Sequence, residues 1–223
     1  ARERTFLDAL ASGRMHHAWL LGGPEGIGKA SFAYRAARFL LAVGDPQARA
    51  ARSADLAMPE HDPATRRVMA QSHPDLHVLR RIQKPDGKSY TSNIPVDSIR
   101  RVIDRFGSSA AEGGWRVCIV DSAEDMERSA ANALLKLLEE PPPRALFLIV
   151  AHAPGRMLPT IRSRCRLLTF DPLSEADVGE AGKLALERME MPFDGSALRR
   201  ASGLSEGSVR RADRKSTRLN SSH

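Results

Sequence analysis

The chain has 223 residues, 42% apolar and 27% charged, with a formal net charge of +7. That suits one large domain or two small ones with a real core, and no apolar run reaches the ~18 residues that a membrane span needs. Its two cysteines, Cys118 and Cys165, exclude a disulfide framework or a four-thiolate metal site and read as reduced thiols of a cytoplasmic protein. The basic balance permits nucleic-acid contact without establishing it.

The chain opens on ARERTFLDALASG, with neither Met nor a signal peptide, and reads as the middle of a helix in a longer protein. Ala18–Leu21 forms a short apolar run, and a glycine-rich stretch and a helical pattern over Ser31–Val43 follow it. Strand, glycine loop and helix are the context of a phosphate-binding loop. Gly23, Gly28 and Lys29 meet the pattern G-x-x-x-x-G-K, with Gly26 between them. The next slot calls for a hydroxyl that ligates Mg²⁺, and it holds Ala30. Ser31 comes one residue late, a rotation of about 100° on a helix. The loop is therefore either a nucleotide site or a tight strand-to-helix connection kept as scaffold.

Residues 44–74 are polar and Ala-rich and read as a loop-helix insertion. Leu76–Arg81 reads as a strand, Lys84–Asn93 as a turn region, and Pro95–Phe106 as an amphipathic helix with Val96, Ile99, Val102, Ile103 and Phe106 on one face. Trp115–Asp121 is the clearest strand, continuously apolar at its centre, as for a parallel strand covered on both faces. It ends in Asp121, in the manner of the acid that holds Mg²⁺ in a second nucleotide motif. Where hydrolytic proteins then place a Glu there is Ser122, which has no basicity at neutral pH. Glu127–Glu140 predicts a helix stopped by Pro141, Pro142 and Pro143; Ala145–Val150 is a buried strand, Leu158–Arg164 a short helix and Arg166–Phe170 a last strand. Alternating strands and helices predict a parallel α/β sheet over residues 1–172. Residues 173–212 read as a small three-helix domain, and 213–223 as a non-native or disordered tail, with a genuine basic tail as the alternative.

In order, HAWLLGGPEGIGKAS, IPVDSIRRVI, VCIVDSAEDMERSAANALLKLLEEPPP and LPTIRSRCRLL resemble the AAA+ clamp-loader subunits of bacterial DNA polymerase III, over roughly residues 16–212. Within that family, Ala30 and Ser122 resemble the delta-prime type, whose nucleotide motifs have decayed while its Ser-Arg-Cys motif remains. The resemblance implies an AAA+ phosphate-loop domain with a helical lid. It also implies a non-hydrolysing stator that works beside gamma/tau and delta subunits, a sliding clamp and primed DNA. Arg164 of Ser163-Arg164-Cys165 is then a finger acting in trans on a neighbour's ATP. Gly23, Gly26, Gly28, Lys29, Ser31, Asp121 and the lid's Arg210 are a degenerate nucleotide site. The alternative is an ATP-hydrolysing subunit of the gamma/tau type, with Ser31 and Glu124 as displaced substitutes. An unrelated phosphate-loop kinase would not explain Ser-Arg-Cys. His152 stands where active relatives carry a sensor Thr or Asn. The family's four-cysteine zinc module is not expected: residues 44–75 hold no Cys, and His61, His73 and His77 make a poor structural zinc site. No cofactor is required on this reading, and the family's C-terminal collar domain is expected to lie beyond this chain.

Overall fold

The apolar runs become five strands: β1 (Ala18–Gly22), β2 (Leu76–Leu79), β3 (Arg116–Val120), β4 (Ala145–Ala151) and β5 (Arg166–Thr169). In the computed structural model of the chain they form one sheet ordered β2-β3-β4-β1-β5. Pairing is parallel at β2–β3, β3–β4 and β4–β1, with Cys118 and Ala18 both aligned on Phe147. The structure describes residues 1–87, 89–107, 110, 114–174, 176–180 and 183.

Helices α1 (Arg2–Ala11), α2 (Lys29–Leu41), α3 (Pro46–Arg52), α4 (Pro63–Met69), α5 (Val96–Gly107), α6 (Arg128–Glu139) and α7 (Pro159–Arg162) connect the strands. Every residue of β1, β3 and β4 is buried. That is why these strands read as continuous apolar runs: each faces a protein layer on both sides. One face of the sheet supplies Leu20, Cys118, Val120, Phe147 and Ile149 to a core shared with Ile99, Phe106, Leu134 and Ile161 of α5, α6 and α7. On β1, Trp19 packs against Phe6 of α1 with the rings tilted and their centroids 5.4 Å apart, and Phe6 meets Phe32 of α2 edge-on.

Residues 44–74 hold two helices where the composition suggested a loop and one. Both start alike. Asp45 and Asp62 each accept from a backbone N–H two or three residues on, Gln47 at 2.9 Å and Thr65 at 2.8 Å, with Pro46 and Pro63 in the first helical position. This is the Asx cap with proline that favours a helix start. Arg49 closes the insertion onto α2 by donating to the terminal carbonyls of Phe39 (2.6 Å) and Val43 (2.7 Å).

Arg116 opens β3, and 7% of it is exposed. Its Nη1 donates to the Phe106 carbonyl at the end of α5 at 2.6 Å, and its guanidinium lies 5.2 Å from the Phe106 ring. A cation there opposes the negative end of the helix dipole. Arg116→Met keeps most of the buried stem and removes the charge. It is expected to cost about 2–3 kcal/mol, chiefly from the charge-assisted bond to Phe106 and a desolvated cation–π contact. Denaturant unfolding checks this, with the midpoint falling at constant slope.

Two compact units form: Ala1–Gly22 with Ala30–Leu168, and Gly23–Lys29 with Thr169–His223. In the second, Ser174 Oγ accepts from the backbone N–H of Asp177 at 3.2 Å, the geometry of a helix cap. Most of residues 173–212, with Arg210, and all of 213–223 lie outside the described residues.

Candidate functional site

The glycine loop follows β1 directly and delivers the chain into α2 at Lys29. Gly23 and Gly28 have φ of +147° and +92°, where a side chain is strained, and Gly26 has +81°. A Cβ on Gly23 would sit 2.1 Å from the Phe170 carbonyl oxygen, so the pattern's first glycine is required by packing alone. Lys29 is 3% exposed, and its ammonium donates to the carbonyls of Gly23 and Pro24 within the loop. Ser31 is exposed on α2. Ala30 offers no oxygen, so the residues present do not fit the usual Mg²⁺ coordination of such a loop.

At the end of β3, Asp121 donates its N–H to the Leu79 carbonyl at 2.8 Å. Ser122 is 8% exposed, and its hydroxyl donates to Asp125 at 3.3 Å. Asp125 in turn pairs with Arg81 at 3.1 Å. Glu124 Oε1 accepts from the backbone N–H of Ala153 at 2.6 Å. Glu124, the candidate replacement for a catalytic acid at this strand end, is thus engaged in tying the 3₁₀ turn Ala123–Asp125 to the residues after β4.

Arg164 lies just past α7, and its side chain is 36% exposed. Nη2 pairs with Glu139 Oε1 at 2.9 Å, while Nη1 donates to the Thr160 carbonyl at 2.9 Å and to Ser163 Oγ at 3.4 Å. A fan of bonds on one side holds the guanidinium at the surface. Cys165, beside it, is pushed up to about 12 by burial, as is Cys118. Both are therefore protonated thiols at neutral pH and poor nucleophiles. Iodoacetamide at pH 8 is expected to label neither in the native protein and both after denaturation, read by intact mass.

Two of the histidines expected to make a poor zinc set are engaged elsewhere. His73 Nδ1 accepts from the Asp75 backbone N–H at 3.2 Å, and His77 packs on Phe106 at 5.5 Å. With no thiolate in residues 44–75, this donor set does not fit a structural zinc. Composition did not point to a cleft of about 630 Å³ along the outer strand β2, where Arg80, Arg81, Arg101 and Arg105 converge beside Tyr90. Arginines just past the end of β2 and on successive turns of α5 meet only once α5 is laid against the sheet.

The family described as DNA polymerase III, delta subunit matches residues 2–174. The chain belongs to that family. It is similar to the DNA polymerase III delta-prime subunit of Yersinia pestis, 34% identical over 92% of this chain and 56% of that protein. The Pseudomonas aeruginosa delta-prime subunit is 38% identical over 67% of this chain and 41% of its own length. A gamma subunit of Buchnera aphidicola is 30% identical over 90% of this chain and 50% of that one. The chain thus spans about half the length of the curated relatives it matches. Among solved structures, a DNA polymerase III gamma subunit-related protein of Thermotoga maritima superposes with a TM-score of 0.58, at 19% identity, over 98% of this chain and 60% of that one. The Thermotoga maritima RuvB Holliday junction branch migration motor gives 0.55 at 18% identity, over 97% and 58%. These likenesses establish the AAA+ fold of this DNA polymerase III family member. No helix among the described residues is long and apolar enough to cross a membrane.

Proposed function

We propose that the chain is the AAA+ part, with its helical lid over residues 173–212, of a non-hydrolysing stator subunit of the DNA polymerase III clamp loader. It acts in the cytoplasm beside gamma/tau and delta subunits on a sliding clamp and primed DNA. One observation carries the reading: the Ser-Arg-Cys arginine, Arg164, stands at the surface on a fixed mount, while the chain's own loop has Ala30 in place of the Mg²⁺ hydroxyl. The chemistry is divided between chains. This subunit contributes the permanently charged fork of Arg164, which meets γ-phosphate oxygens as charge develops there. The neighbour contributes nucleotide, metal and water-positioning acid. Arg210, in the lid, is the counterpart of a nucleotide-sensing arginine on this reading.

The gamma relatives favour a second reading, an ATP-hydrolysing subunit. It requires Ser31 and Glu124 to replace what Ala30 and Ser122 lack, and Glu124 is already committed to Ala153. The test is assembly. The full-length subunit, mixed with gamma/tau and delta, is expected to form one complex that loads clamp onto primed DNA. Omitting the subunit is expected to abolish loading. Loading at full rate without it would overturn the stator role.

A further inference from the structure

The helix α6 ends in Glu139 and Glu140, two carboxylates at the end where the helix dipole disfavours negative charge. Such a placement costs a few tenths of a kcal/mol per charge on an exposed helix, and a local rule broken without local gain marks a site whose gain lies elsewhere. In this fold Glu139 faces Arg164, with Oε1 at 2.9 Å from Nη2. The two residues come from different elements, the end of α6 and the turn after α7, stopped respectively by Pro141 and shaped by Ser163.

We propose that Glu139 is a positioning residue for Arg164. The proposal rests on the finger reading above and extends it to how the finger is aimed. A guanidinium has five N–H donors in one plane. Glu139 takes one on Nη2, and the Thr160 carbonyl and Ser163 Oγ take those on Nη1. Among the described residues nothing takes the Nε–H or the second Nη2–H, which are left to meet an anion from outside the chain. An unheld arginine side chain carries about 2 kcal/mol of rotamer entropy that must be lost on engagement. A carboxylate anchored on a second helix removes part of that cost in advance and fixes the plane of the fork, and it leaves the charge of the guanidinium intact. An exposed ion pair contributes little to folding, about 0–1 kcal/mol. The role of Glu139 therefore shows in turnover and hardly in stability.

The experiment uses the full-length subunit in a loader with gamma/tau and delta, reading DNA-stimulated phosphate release. Glu139→Ala is expected to lower kcat about three- to tenfold at unchanged KM for ATP and unchanged thermal unfolding. Glu139→Gln, which keeps a neutral acceptor in place, retains most of the turnover. In an Arg164→Ala background, Glu139→Ala has no further effect, because the two act as a unit. If Arg164→Ala lowers turnover while Glu139→Ala does not, or if the two losses simply multiply, the positioning role is overturned and the finger stands. If Arg164→Ala itself changes nothing, both fall. Should Glu139→Ala fail to assemble, Glu139→Gln is compared with Glu139→Lys, which repels the guanidinium; equal turnover of those two overturns the proposal.

Discussion

Replacing Arg164 by Ala in the full-length subunit is expected to reduce ATP turnover at the neighbouring site of the loader by about 10²-fold or more, and clamp loading with it. Arginine fingers supplied in trans are worth ~10³–10⁵ in other nucleotide hydrolases. The lower figure allows for residual turnover supported by the neighbour's own lysine and metal. The fold is expected to survive, because Arg164 is 36% exposed and its partners are Glu139, the Thr160 carbonyl and Ser163 Oγ at the surface. The stability change stays within about 1 kcal/mol. Arg164→Lys keeps the charge and loses the fork, so it recovers little. Single-turnover phosphate release from the assembled complex, beside thermal unfolding of the variant subunit, separates lost chemistry from lost structure. Turnover equal to that of the parent complex would remove Arg164 from the reaction.

Much of this frame is legible in the sequence because burial on both faces leaves a strand no polar positions. Val117–Val120 and Leu146–Val150 are continuous apolar runs, and they are the interior strands β3 and β4. Three consecutive prolines bound α6, and glycines with positive φ mark the loop after β1. The two short helices of residues 44–74 were also written locally, in Asp45-Pro46 and Asp62-Pro63, where an Asx cap precedes proline. A reading by apolar periodicity passes over them because seven-residue helices show barely two turns. What the sequence could not display is pairing across distance. Glu139 and Arg164 meet through α6 and α7, and Arg116 finds the end of α5 through the order of the strands. Ser122 and Glu124 showed as a missing acid and a spare one. Only the fold shows that the first donates its hydroxyl to the Asp125 carboxylate and the second holds the Ala153 N–H just past β4.

The purified chain is expected to release phosphate from ATP at no more than the background rate, with Lys29→Ala leaving that rate unchanged. Hydrolysis by a phosphate loop needs a hydroxyl on the metal and an acid on the attacking water, and each typically carries orders of magnitude in rate. Ala30 removes the first. Ser31 cannot replace it, since one residue along α2 turns its hydroxyl by about 100°. Ser122 removes the second, and its own hydroxyl already donates to Asp125 at 3.3 Å. Glu124 cannot swing in without abandoning the Ala153 N–H at 2.6 Å. Binding is a separate matter from turnover: the loop keeps its positive-φ glycines and its buried lysine. A fluorescent ATP analogue titrated with and without Mg²⁺ therefore tests the scaffold. With no metal hydroxyl in the loop, any affinity should respond little to Mg²⁺, and Ala30→Thr should make it respond. Turnover above background that Lys29→Ala abolishes would return the chain to the hydrolysing class, and Arg164 would then serve a motor with a working site of its own.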